Sequence, residues 1–305
     1  MLYRTITEAI GNTPLVAIPF HPERRCYAKL EHMNPGGSIK DRSALYMIEE
    51  AERKGLLQPG GTIIEASSGN QGIAAAFIGI AKGYKVIIVV SDKVSKEKRA
   101  TLEAYGVTVV TCPATMLLTD PKSYHNVACE LQRATPNSFM LNQYYNQANL
   151  DSHYTLLGPE LWRQTDGAIT HLVTAAGSGG TVSGVGKYLK EQNRAVQVIA
   201  VDSDVSFRTT GGNPKPYVLE GMGVDYETPL LDNGVIDEFM AVSDVDALQS
   251  LRKLARSYGL LVGPASGAVA CAAERVAARL RPDELLVFIC GDSGRAYLSK
   301  NFYTQ

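Results

Sequence analysis

Short runs of wholly apolar, β-branched residues alternate along this chain with stretches in which apolar residues recur at helical spacing. Residues 62–66 predict a strand that leads through Ser68-Gly69-Asn70 into an Ala/Ile-rich helix ending near Lys82. Residues 84–90 predict a buried strand, 95–105 an amphipathic helix and 107–111 another strand. Further on, 170–176 predict a strand, followed by a glycine loop, a helix from about Thr181, and a strand at 196–202. Residues 245–258 and 267–280 read as helices and 285–290 as a strand. Strands that are apolar throughout, alternating with helices, indicate parallel sheets covered on both faces. The predicted fold class is therefore α/β, with two clusters of such units forming two domains and a cleft between them. The smaller domain is expected at 41–149, the larger at 1–40 together with 150–305.

Composition narrows the partners. The 305 residues are 45% hydrophobic and 20% charged, an ordinary globular balance. A net charge of -1 gives no global reason to bind nucleic acid or an anionic membrane, so the expected partner is a small molecule. No eighteen-residue apolar run and no hydrophobic leader are present, so neither a membrane span nor a signal peptide is expected. Cys26, Cys112, Cys129, Cys271 and Cys290 are scattered and form no CxxC pair. A disulfide framework or metal site is not expected, and buried thiols suit the reducing cytoplasm.

Three segments carry candidate chemistry. Gly177-Ser178-Gly179-Gly180-Thr181 follows a strand and opens a helix, where glycines let free N–H groups and the helix dipole surround an anion. A phosphate cradle and a tight turn both fit that pattern. The dinucleotide fingerprint fails at Val182, even though Asp202 imitates its ribose-binding acid. The nucleoside-triphosphate loop fails too, because Tyr188 follows Gly186-Lys187 and Thr181 replaces its first glycine. A bare phosphate fits better than a nucleotide. Ser67-Ser68-Gly69-Asn70-Gln71-Gly72 is a second strand-to-helix turn, read as either a carboxylate cradle or a helix cap. Lys40 follows the Pro/Gly turn of Asn34-Pro35-Gly36-Gly37-Ser38-Ile39. A lysine between Asp41 and Arg42 is ordinarily a solvated charge, but at a helix entry its amine can be desolvated into a nucleophile.

These segments stand in order with Gly11-Asn12-Thr13-Pro14-Leu15, Lys29-Leu30-Glu31, Asn142-Gln143-Tyr144, Gly158-Pro159-Glu160-Leu161, Ser266-Gly267-Ala268 and Asp292-Ser293. The set spans nearly the whole chain and resembles the cysteine synthase and cystathionine β-synthase family of pyridoxal-phosphate enzymes. The resemblance implies the tryptophan-synthase-β-like, type II fold, a homodimer, and pyridoxal 5'-phosphate as cofactor. It implies that Lys40 carries the cofactor and then acts as the α-proton base, and that Asn70 meets the cofactor's 3-hydroxyl oxygen. Gly177, Ser178, Gly179, Gly180 and Thr181 would hold the phosphate, and Ser293 would face the pyridine nitrogen. Ser67, Ser68, Gly69, Gln71 and Gln143 would receive the substrate carboxylate. The implied reaction is β-replacement on a serine- or cysteine-type amino acid, through an aminoacrylate that a thiol or sulfide attacks. β-Elimination alone is the alternative, and a non-catalytic scaffold would not need Lys40, Asn70, the glycine loop and Ser293 together.

The pattern is broken at Gln71 and Ser67, where threonines are usual, and at Pro264-Ala265 before Ser266. These departures bear on substrate identity. The stretch 220–226 and Asp292 lean towards the cystathionine β-synthase branch, and regulation through the haem-binding extension or C-terminal module of some members is not expected. Glu220 and Asp225 are the acids expected at the cleft entrance, where they would favour serine or cysteine over O-acetylserine as donor.

Overall fold

The computed structural model describes residues 2–113 and 120–304; Met1, Gln305 and 114–119, which fall within the expected domains, lie outside the described residues. The chain opens with strands β1 (Leu15–Ala17) and β2 (Arg25–Leu30) and helix α1 (Lys40–Arg53). Then come β3 (Thr62–Ala66), α2 (Asn70–Ala81), β4 (Lys85–Ser91), α3 (Lys96–Ala104) and β5 (Thr108–Cys112). After α4 (Tyr124–Ala134) and β6 (Ser138–Met140), α5 (Gln147–Ser152) continues through a π-helical turn, His153–Leu157, into α6 (Gly158–Gln164). The remainder is β7 (His171–Ala175), α7 (Gly180–Gln192), β8 (Gln197–Ser203), β9 (Glu238–Val242), α8 (Asp244–Tyr258), α9 (Pro264–Ala277) and β10 (Leu285–Cys290). A 3-10 helix, Gly294–Lys300, follows.

The strands form two sheets. One has four parallel strands in the order β5-β4-β3-β6; the other has six in the order β1-β2-β10-β7-β8-β9. In the larger sheet β1 runs antiparallel to β2, with Leu15 opposite Lys29, and the other pairings are parallel. The connection 18–24 is too short for the crossover that parallel neighbours require, so this pair closes as a hairpin.

Burial explains why the strands were readable. β3 and β10 are buried at every position, as strands covered on both faces must be. Alternate residues of each strand enter different cores. Val173, Ile199 and Phe288 pack on one face of the larger sheet, and Leu172, Val198 and Val287 on the other. Ile63 and Ile88 face α1 and α2 on one side of the smaller sheet; Ile64 and Val89 face α4 on the other. Ser95, Ser123 and Ser243 cap α3, α4 and α8 through their side-chain oxygens. Among the described residues no helix is long and apolar enough to cross a membrane.

The carboxyl ends of β3, β7 and β10 lead directly into the loops at 67–69, 176–179 and 291–293. Ligands of α/β sheets bind outside those strand ends, which puts the two glycine turns and Lys40 around one cleft.

Candidate active site

Lys40 begins α1, and its position is set by the turn before it. Gly37, at φ +85°, accepts from Ser293 N at 3.1 Å, while Ile39 N donates to Gly291 O at 2.8 Å. These bonds strap the Pro/Gly turn to the segment leaving β10. Lys40 thereby stands in the wall shared by two adjoining cavities. Burial pushes its amine down to about 8, against the opposing pull of Glu65 and Asp292.

The smaller cavity has an anion cradle opposite the lysine. Gly177, Ser178, Gly179 and Thr181 line it at the start of the thirteen-residue helix α7. Gly179 has φ +92°, and a Cβ there would lie 2.7 Å from Leu231 N; one on Gly180 would lie 2.5 Å from Asn149 Oδ1. Both positions therefore exclude side chains, and the first-turn N–H groups of α7 have no intrahelical acceptors. Ser178 Oγ accepts from Asn149 Nδ2 at 3.0 Å, and the Thr181 hydroxyl pairs with His153 Nε2 at 3.2 Å. Burial drives His153 well below the usual imidazole range, so it is neutral. Hydroxyls, amides and a helix dipole make a donor set that suits a phosphate.

The opposite wall holds Asn70, Ala265, Ser266 and Asp292. Asn70 Nδ2 donates to Asp292 Oδ2 at 2.8 Å, and the buried Ser266 Oγ accepts from Gly291 N at 3.0 Å. The expectation for Ser293 is corrected. It lines neither cavity; its hydroxyl accepts from Arg295 N at 3.3 Å and caps the 3-10 helix. The backbone of Ser293 is bridged to Val262 and bonded to Gly37, so its side chain belongs to the following turn. Ser266 supplies the neutral hydroxyl of that wall.

The larger cavity is lined by Ser67, Ser68, Gly69, Asn70, Gln71 and Gln143, as the sequence predicts for the carboxylate site. Ser68 Oγ accepts from Ser91 N at 2.7 Å and Ser67 Oγ from Gly69 N at 3.2 Å, leaving both hydroxyl protons available. Gln71 is 1% exposed; its Oε1 accepts from Ser43 Oγ at 3.3 Å, and its Nε2 has no partner among the described residues. The backbone just before Gln143 is held by the buried Glu65, whose Oε2 accepts from Asn142 N at 2.9 Å. Burial pushes the Glu65 carboxyl up to about 8.

The cleft acids behave differently from one another. Glu220 lines the larger cavity but is paired with Lys98 and lies 3.6 Å from Lys300. Asp225 is exposed and lines neither cavity. Lys98, Tyr124, Tyr217 and Tyr297 also line the larger cavity, and nothing in their local sequence marked them. Asp292 carried one signal: it stands two residues beyond a fully buried strand.

The chain matches, over residues 6–291, the family model described as pyridoxal-phosphate dependent enzyme. It is 42% identical to a cystathionine beta-synthase of Apis mellifera over 97% of this chain and 60% of that one. It is 41% identical to a probable cysteine synthase of Bacillus subtilis, covering 97% and 96% of the two chains. Among solved structures, the O-acetylserine dependent cystathionine beta-synthase of Helicobacter pylori superposes with TM-score 0.92 at 37% identity, covering 99% of both chains. O-ureido-L-serine synthase gives TM-score 0.92 at 33% identity, covering 99% and 96%. The chain thus spans 60% of the length of the Apis mellifera relative and nearly all of the others named. The α/β fold is that of the type II pyridoxal-phosphate enzymes. By sequence over almost its whole length, by fold and by family model, this chain belongs to the pyridoxal-phosphate dependent enzymes.

Proposed function

We propose that this chain catalyses β-replacement on a serine- or cysteine-type amino acid with a sulfur nucleophile, using pyridoxal 5'-phosphate held at Lys40. The observation that carries the reading is one lysine amine in the wall between a phosphate cradle and a carboxylate-type cavity. The residues fit the cofactor: the loop Gly177 to Thr181, closed to side chains at Gly179 and Gly180, would take its phosphate, and the desolvated Lys40 amine would hold its aldehyde carbon. Bound there, the cofactor supplies a sink for negative charge at the substrate α-carbon.

The chain's own residues supply the rest. Lys40 Nζ, with an amine pKa brought down to about 8, takes the α-proton and returns a proton where the leaving group departs. Ser67 to Gln71 and Gln143 orient the substrate through its carboxylate. Asn70 and Ser266 meet the cofactor's polar edges, and the neutral Ser266 hydroxyl brings no carboxylate to that wall. Because Glu220 is paired with Lys98 and Asp225 is exposed, Lys40 remains the proton donor to the β-substituent.

The division at 41–149 against 1–40 with 150–305 draws support from the strands: those of one sheet lie between 62 and 140, those of the other outside it. The same reading places the protein in the cytoplasm and makes it a homodimer, and light scattering of the purified enzyme tests the dimer.

Borohydride reduction followed by peptide mapping tests the cofactor assignment. Label on Lys40 is expected, and label on another lysine overturns it. A panel of serine, cysteine and O-acetylserine against sulfide, cysteine, homocysteine and no acceptor tests the reaction. A new thioether or thiol product that depends on acceptor supports replacement; pyruvate and ammonia at equal rates with and without acceptor would establish elimination instead.

A further inference from the structure

Asp292 is 5% exposed, yet it lines the smaller cavity beside Lys40. Two donors converge on one of its oxygens. Asn70 Nδ2 lies 2.8 Å and the Tyr297 hydroxyl 2.5 Å from Oδ2. Tyr297 is itself fully buried, with Lys98 Nζ 4.5 Å from its ring centroid. The backbone is fixed as well: Asp292 O accepts from Gly263 N at 2.9 Å, and Asp292 pairs with Ser38 in an isolated bridge. A Cβ on Gly263 would sit 2.0 Å from Oδ1, so the carboxyl fills the space that glycine leaves.

The geometry matters because of what Asn70 is. Its amide ends have nearly the same shape but opposite hydrogen-bonding character, and an ionised carboxylate only accepts. Asp292 therefore holds the Nδ2 end, leaving Oδ1 of Asn70 for the cavity. We propose that Asp292 is a positioning residue of this site, fixing the orientation of the Asn70 amide towards the cofactor and held in place by Tyr297. The proposal rests on the reading of the smaller cavity as the cofactor site. Burial raises the Asp292 pKa above the ordinary carboxylate value, and the bonds from Tyr297 and Asn70 oppose that rise.

The experiment is a double-mutant cycle on the cofactor-loaded enzyme, with the absorption spectrum of the bound cofactor and its dissociation constant as readouts. Asp292→Asn keeps the shape but can present N–H to Asn70 and turn its amide over. It is expected to change the ratio of visible to near-ultraviolet absorption and to weaken cofactor binding by about 10- to 100-fold, the range for a lost charged hydrogen bond. In an Asn70→Ala background the same substitution should change binding less than about twofold, because the group through which it acts is gone. Tyr297→Phe, which keeps the ring under Lys98, should move the spectrum in the same direction by a smaller amount. An unchanged spectrum in Asp292→Asn, or an equal effect with and without Asn70, overturns the proposal. Wild-type protein that takes up no cofactor at Lys40 would sink the functional reading first, and this inference with it.

Discussion

Glu65 lies in the fully buried strand β3 and bears on stability. Its carboxyl is raised from 4.5 to about 8 by burial, so between those values the folded protein keeps a proton that the unfolded chain has released. That contribution is full below 4.5 and is lost as pH rises through 8. Asp41, also raised to about 8, acts with the same sign, whereas Lys40, lowered to about 8, acts above that pH and oppositely. Glu65→Gln keeps an oxygen for Asn142 N and removes one titration. Urea midpoints of the cofactor-free protein should then fall less steeply between pH 4.5 and 8 than in the wild type, and parallel slopes would exclude Glu65 as the cause. Gln71 yields a different kind of prediction. Gln71 lines the larger cavity and its buried Nε2 has no partner among the described residues, so Gln71→Thr should shift kcat/KM among donors while leaving the cofactor dissociation constant within about twofold. An unaltered donor ranking would mean that the amide only fills space.

At the scale of elements, sequence reading succeeded where one element carries its own signal. The strands β3, β4, β7, β8 and β10 lie within one residue of the predicted bounds, because burial on both faces demands continuous apolar runs. The glycine loop before α7 was legible for the same local reason: its close approaches at Gly179 and Gly180 need residues without Cβ. Gly179→Ala should lower stability by about 1–3 kcal/mol through its positive φ and the Leu231 contact, and should weaken cofactor binding tenfold or more. Thermal melting with and without cofactor separates the two losses, and an unaltered holo–apo difference would remove the loop from the cofactor site. The elements that went unread lack such a signal. β1 and β6 have three residues each and sit at sheet edges, and β2 carries Arg25 and Lys29 inside an otherwise apolar run. In α1 the charged Asp41 and Arg42 are buried, which inverts the usual amphipathic pattern.

Over the whole molecule, the order of motifs acquires a physical meaning that none has alone. Arg42 Nε and Nη2 reach the two carboxylate oxygens of Glu31 at 2.7 and 2.8 Å, and Nη1 reaches Glu160 at 2.8 Å. Lys29 pairs with the same Glu160 and donates to Thr13 O at 2.6 Å, while Thr13 Oγ1 donates to Glu31 at 2.6 Å. Asn34 Oδ1 accepts from Gly11 N at 2.8 Å, and Glu160 accepts from Asn12 N at 2.9 Å. Four separate motifs thus converge in one buried cluster that joins β2, α1 and α6. Arg42→Met would strand two buried carboxylates, and a loss of about 3–5 kcal/mol in urea unfolding is expected; a loss below about 1 kcal/mol would show that the cluster relaxes freely. The sequence by itself determined the α/β class and the cofactor family, and it singled out Lys40 and the two glycine turns, since each is written in adjacent residues with a local conformational demand. Only the tertiary structure decided that Ser266 and Asp292, not Ser293, form the wall beside Asn70, and that Glu220 is spent on Lys98. Those assignments depend on how the end of β10, the start of α9 and the stretch near residue 220 meet across the cleft. Contacts between residues so far apart leave no periodicity along the chain, so the packing of the sheets had to settle them.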